Sequence, residues 1–182
     1  GHKWVDVSEN GYGVSLLNDC KYGYNTEGST LKLTMLKCAT YPNPHADEGK
    51  HIFTYSLLPH IGDFREAGVI QEAYSLNQPL EAVHVNSGDG TLPGTYSLVS
   101  SDSPNVMIET VKKAEADGSM IVRLYEAFDR RSKAVISVAE GFKKAYLCNL
   151  LEDELEKLPF DGTKLPLPVR NFEIITLKFT RE

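Results

Sequence analysis

Between Asn18 and Tyr22 the chain carries an amide, a carboxylate, an ammonium and a phenol within five residues: Asn18, Asp19, Lys21 and Tyr22. Side chains of these types can contact a sugar. Asn, Asp and Lys hydrogen-bond hydroxyls, and a Tyr ring offers a stacking face. The same cluster also reads as a polar strand end whose Asn and Asp cap a turn. The sequence leaves both readings open. His45, Asp47 and His51 are the one grouping of metal-ligand types, but their spacing fits no zinc motif and straddles a loop and a strand, so a solvated loop accounts for them. His60 and His84 stand at strand boundaries, where a lone histidine is commonly a hydrogen-bonded one. Asp6, Asp19, Asp47 and Asp63 are candidate carboxylates for glycoside chemistry, yet nothing in the sequence sets two of them at the required separation. No nucleophile elbow, phosphate loop or dinucleotide fingerprint occurs. The residues themselves therefore assign no catalytic group and no metal ligand.

The elements that must position the cluster are mostly strands. Trp4 to Val7, the turn Ser8-Glu9-Asn10-Gly11 and Tyr12 to Asn18 read as a hairpin. Leu31 to Lys37 begins with the alternation of a half-buried strand. A loop containing Pro42 and Pro44 follows, then a strand from His51 to Leu58 that Pro59 ends. Asp63 can cap one helix from Phe64 to Leu76, weakened by Gly68. Leu80 to Val85 is extended. Residues 86–104 are rich in Gly, Ser and Pro and look like a linker, with Thr95 to Val99 as one strand inside it. Beyond it, strands are expected at Val106–Lys112, Met120–Ala127, Ala134–Val138, Ala145–Leu151 and Phe172–Phe179, with a Pro-rich loop before the last. Alternation puts Val122, Leu124 and Glu126 on one face and Arg123 on the other, where it can pair with Glu109. Glu152 to Glu156 reads as a solvated acidic turn. The fold class is all-β, mainly an antiparallel β-sandwich, with one short helix.

Composition narrows the function classes. The 182 residues suit one large domain or two small ones. Apolar residues make up 41% and charged residues 24%, as in ordinary globular chains. With 25 acidic and 19 basic residues interspersed, no basic stripe invites nucleic acid. No apolar run reaches the roughly 18 residues of a membrane span. Cys20, Cys38 and Cys148 cannot all pair within the chain and match no zinc or redox spacing, so reduced thiols in a cytoplasmic protein are expected.

Longer strings carry a resemblance. His2 to Glu9, Tyr12-Gly-Val-Ser-Leu-Leu-Asn-Asp-Cys-Lys-Tyr-Gly23, and Ala46-Asp47 with Gly49 and His51 occur in order. Phe53-Thr-Tyr-Ser-Leu57, Pro59-His60, Ala67-Gly-Val-Ile-Gln71 and Ala73-Tyr-Ser-Leu-Asn77 follow. This succession resembles the C-terminal region of glycoside hydrolase family 38, the α-mannosidases, and most of all their cytosolic branch. Pro104-Asn-Val106, Glu109 to Glu115 and Val122 to Ala127 resemble the small terminal β domain of the same enzymes.

The resemblance implies that residues 1–100 are the C-terminal part of a large β-sandwich domain and 101–182 a small terminal β-sandwich domain. It implies a parent that is a retaining exo-α-mannosidase acting on mannose-containing glycans. The nucleophilic and acid/base Asp residues and a divalent metal, zinc or cobalt, then belong to an N-terminal catalytic barrel that no stretch here matches. The chain is expected to be an inactive, non-catalytic fragment, with Asn18, Asp19, Lys21 and Tyr22 lining the sugar pocket. A stand-alone carbohydrate-binding or interaction β-sandwich is the alternative. Homo-oligomerisation is left open.

Overall fold

A computed structural model describes residues 1–86 and 88–181. The chain divides into two compact units, Gly1–Asn86 and Ser87–Glu182. The linker-like stretch thus falls almost wholly in the second. Among the described residues no helix is long and apolar enough to cross a membrane.

In the first unit β1 (Trp4–Glu9) and β2 (Tyr12–Asn18) form a hairpin across Asn10-Gly11. Gly11 has φ 92°, the left-handed backbone a two-residue turn requires. β3 (Tyr24–Glu27) and β4 (Thr30–Leu33) form a second hairpin, and β5 (Tyr55–His60) joins the free side of β2. The sheet order β1-β2-β5 leaves β5 at an edge. That explains why Pro59 lies inside this strand, opposite Val14, rather than ending it. A residue without an N–H is tolerated where no further strand needs one. The strand starts at Tyr55 rather than His51, whose Nε2 contacts the Asp47 carbonyl oxygen at 2.8 Å within the preceding loop. β4 also stops at Leu33, short of Lys37, and Leu80 to Val85 carries no strand.

Period-two alternation puts Trp4, Leu17 and Leu58 on one face of the sheet. There Leu17 packs against Val69 and Ala73 of helix α1 (Val69–Asn77), with Phe64, Ala67 and Leu76 around them. The helix is shorter than the sequence suggests. Asp63 does take the N–H groups of Arg65 and Glu66, at 2.8 and 3.3 Å, but it caps only the preceding turns. Gly68, with φ 65°, is the true N-cap.

The second unit is a sandwich. Its strands are β6 (Val99–Ser101), β7 (Val106–Lys113), β8 (Met120–Glu126), β9 (Ser132–Val138), β10 (Lys144–Cys148), β11 (Glu154–Leu158), β12 (Lys164–Val169) and β13 (Ile174–Thr180). The sheets run β11-β10-β13-β8-β7 and β12-β9-β6. Between them lies a core of Val122, Leu124, Ile136, Leu165, Leu177 and Phe179 with their neighbours. Strand β12 falls in the expected Pro-rich loop. Pro166 and Pro168 point outward on an edge strand while Leu165, Leu167 and Val169 enter the core.

Two charge assignments also change. A bulge between Ile108 and Thr110 sets Thr110, not Glu109, opposite Arg123. Arg123 instead reaches the Leu150 carbonyl at 3.1 Å and Glu152 at 3.6 Å. Glu152, expected in a solvated turn, accepts from Lys112 Nζ at 2.9 Å and from the Glu115 N–H at 2.8 Å.

Candidate functional site

Strand β2 delivers Asn18 to the end of the sheet, and the chain turns there because Asn18 makes it turn. Its Oδ1 accepts the Lys21 N–H at 2.6 Å. Its Nδ2 donates to the Tyr24 hydroxyl, and its carbonyl accepts from Asn77 Nδ2 at 3.0 Å. Asn18 is 1% exposed, so all its polar groups serve the fold. Asp19 is exposed, and its Oδ1 accepts the Thr54 N–H at 2.9 Å. That bond, with a second from the Cys20 thiol, holds its carboxyl below the usual aspartate value. The Lys21 ammonium sits 4.7 Å over the Phe53 ring. Tyr22 is 61% exposed, its ring tilted against His2 at 4.9 Å. Of the four residues, Asp19 and Tyr22 are exposed and Lys21 is half-buried against Phe53, while Asn18 builds the turn that carries them.

Below this turn lies a polar cluster that sequence reasoning missed. Register puts Asp6 opposite Ser15 and His60 opposite Gly13 on one face of the first sheet. Asp6 Oδ1 accepts from Ser15 Oγ at 2.6 Å and meets His60 Nε2 at 2.8 Å. Burial pushes the Asp6 carboxyl up, but bonds from Ser15, His60 and Ser8 outweigh it and hold the group below the ordinary value. His60 Nδ1 is buried without a partner. The residue types are those of a hydrolase triad, but the geometry is not. Ser15 gives its proton to the carboxylate, and His60 lies 3.3 Å from Oγ bonded to the same oxygen. The hairpin turn made the Asp6–Ser15 register readable. Nothing local pointed to His60.

The loop histidines do not converge. His45 Nδ1 contacts Glu48 at 2.7 Å, His51 Nε2 contacts the Asp47 backbone, and Asp47 Oδ2 takes the Cys38 N–H at 2.6 Å. Among the described residues no three His, Cys, Asp or Glu side chains gather as a metal would need. The donor set of this loop does not fit a divalent ion. The carboxylates of Asp6, Asp19, Asp47 and Asp63 each engage different partners, Asp63 holding Arg65 at 2.7 Å. His84 is exposed on irregular chain.

In the second unit the buried polar groups form a knot. Glu126, 1% exposed, accepts from Asn105 Nδ2 at 2.7 Å and from the N–H groups of Phe128 and Phe172 at 2.8 and 2.9 Å. Ser103 and Arg130 donate to Asn105 Oδ1 at 2.6 and 3.1 Å. These bonds join the start of β7 to two turns, a structural task.

Known proteins match both units. Residues 1–45 fit the model for the glycosyl hydrolases family 38 C-terminal domain, and residues 105–177 that for the family's C-terminal beta sandwich domain. Alpha-mannosidase 2C1 of Homo sapiens is 43% identical over 97% of this chain, and alpha-mannosidase G of Dictyostelium discoideum 35% identical over 98%. The chain spans about 17% of the length of each. A solved structure of a glycosyl hydrolase family 38 protein from Enterococcus faecalis shares the fold, with a TM-score of 0.78 at 21% identity. It covers 98% of this chain and 22% of its own. With both units matched in order and relatives aligned nearly end to end, the chain belongs to the C-terminal β-domain region of glycoside hydrolase family 38.

Proposed function

We propose that this chain is the non-catalytic C-terminal β region of a retaining exo-α-mannosidase, which it scaffolds and whose sugar pocket it helps to line. The observation that carries the reading is its 43% identity, along almost its whole length, to a protein named alpha-mannosidase. The first unit supports it independently. Its sheet has α1 on one face, while the other exposes an apolar groove of about 700 Å³ lined by Val7, Val14, Leu16, Leu31 and Leu57. Apolar surface on a sheet's second face is what packing against a further sheet would cover. The C-terminal part of a large sandwich domain, followed by a small terminal one, accounts for that face.

Bond cleavage belongs to an N-terminal barrel with its own carboxylates and its zinc or cobalt ion. Asp6, Asp19, Asp47 and Asp63 are each held by backbone, Ser, His or Arg partners, and this reading gives none of them the role of nucleophile or acid. Mannose-containing glycans meet this region through Asp19, Lys21 and Tyr22, which the Asn18 turn projects from the sheet end. Neither nucleic acid nor membrane enters the reading. A cytoplasmic setting agrees with three free thiols, two of them exposed.

The test is Asp19→Ala and Lys21→Ala in the full-length enzyme. A lost hydrogen bond to a charged group is worth about 1.5–3 kcal/mol, so kcat/KM should fall roughly tenfold or more with the fold intact. Unchanged kcat/KM would remove the pocket role and leave the scaffold role standing.

A further inference from the structure

Strands β9 and β12 pair with Ser132 opposite Val169 and Lys133 opposite Pro168. Arg131 and Arg170 therefore leave the sheet side by side. Between them opens a cleft of about 670 Å³ whose wall includes Arg131, Lys133, Arg170, Pro168 and Glu173. Three cations and one carboxylate face this space in a chain of net charge −6. The carboxylate is already committed. Glu173 accepts from Arg170 Nη2 at 2.9 Å and Nε at 3.2 Å, and from the Arg170 N–H at 2.8 Å. Among the described residues Arg131 and Lys133 have no carboxylate partner.

The rim is held in place. Asn171 Nδ2 donates to Asp129 Oδ1 at 3.1 Å, tying the two turns together. Arg130, next to Arg131, is anchored on Asn105 at 3.1 Å. With Arg170 paired to Glu173, the exposed Arg131 and Lys133 leave this rim with positive charge that an anion can meet.

We propose that this cleft binds a phosphate monoester carried on a sugar-sized body. A guanidinium fork and an ammonium suit the doubly charged oxygen array, and the volume beside Pro168 admits a ring. The inference does not rest on the mannosidase reading, since it concerns only the second unit and no bond cleavage.

The test titrates inorganic phosphate, a hexose 6-phosphate and the free hexose into the isotope-labelled 182-residue protein at low ionic strength, following amide NMR shifts. Saturable shifts confined to residues 131–133 and 170–173 are expected. The hexose phosphate should bind more tightly than phosphate, and the hexose should not bind there. Arg131→Gln, at a side chain with no hydrogen bond or ion pair among the described residues, should weaken binding about tenfold. Lys32→Gln, on the β3–β4 hairpin, should leave it unchanged. No saturation, shifts spread over all cations, or equal losses in the two variants would overturn the site. Equal affinity for phosphate and hexose phosphate would overturn the sugar component.

Discussion

Replacing Glu126 probes the second unit where its polar order is densest. The carboxylate is 1% exposed and accepts hydrogen bonds from Asn105 Nδ2 and from the Phe128 and Phe172 N–H groups. Glu126→Ala strands these donors in a dry site. Each buried, unsatisfied group costs about 1–3 kcal/mol, and partial relaxation brings the expected total to about 3–5 kcal/mol. Glu126→Gln keeps one carbonyl oxygen for Asn105 and Phe128 but turns an NH₂ toward the Phe172 N–H. That single donor clash should cost about 1–3 kcal/mol.

Protonation supplies a second signature. Burial pushes the Glu126 carboxyl up, yet bonds from Phe172, Asn105 and Phe128 outweigh it and hold the group below its ordinary value of 4.5. A lowered folded value means the stabilisation is complete above the unfolded value and is lost as pH falls through the folded one. Native-state amide exchange in β8 and β13 reads the second unit without interference from the first. The wild type should lose protection with acid more steeply than Glu126→Gln. A loss below about 1 kcal/mol in Glu126→Ala, or equal acid slopes, would refute the reasoning.

Gly13→Ala should damage the first unit, because a Cβ there would lie 2.3 Å from His60 Cε1 and 2.7 Å from Ser8 Cβ. Overpacking of this kind costs about 1–3 kcal/mol, read as a lower urea midpoint of Trp4 fluorescence; an unmoved midpoint would mean that the buried His60 can step aside. Thiol labelling of the folded chain should modify the exposed Cys38 fastest and the exposed Cys20 more slowly, because its bond to Asp19 raises the Cys20 thiol. Cys148 is buried, and burial together with Glu154 raises its thiol, so it should react only on unfolding. Three equal rates would contradict the packing around β10.

Much of this architecture was legible because local signals agreed. Asn10-Gly11 between alternating runs announced the first hairpin, and regular turn residues marked β7, β8, β9 and β13. Prolines misled in two places. Pro59 and the Pro166/Pro168 pair read as breaks, yet each lies on an edge strand whose outer side needs no donor, a property of sheet order that no local window contains. The helix start was misplaced because an Asp cap and a left-handed Gly competed, and the backbone conformation of Gly68 decided it. At the candidate site, the turn-capping reading of the Asn18–Tyr22 cluster holds for Asn18, whose Oδ1 takes the Lys21 N–H. Asn18 is the turn cap, while Asp19 and Tyr22 face outward. The Asp6–Ser15–His60 cluster escaped notice because His60 reaches Asp6 only through strand pairing across 54 residues of chain.

The central claim is that these strands build scaffold and pocket wall while glycosidic cleavage resides on other polypeptide. The most direct measurement incubates the purified 182-residue chain with a chromogenic α-mannoside, with and without added zinc or cobalt. The account predicts release no faster than in buffer under every condition. Saturable turnover by this chain alone would contradict it.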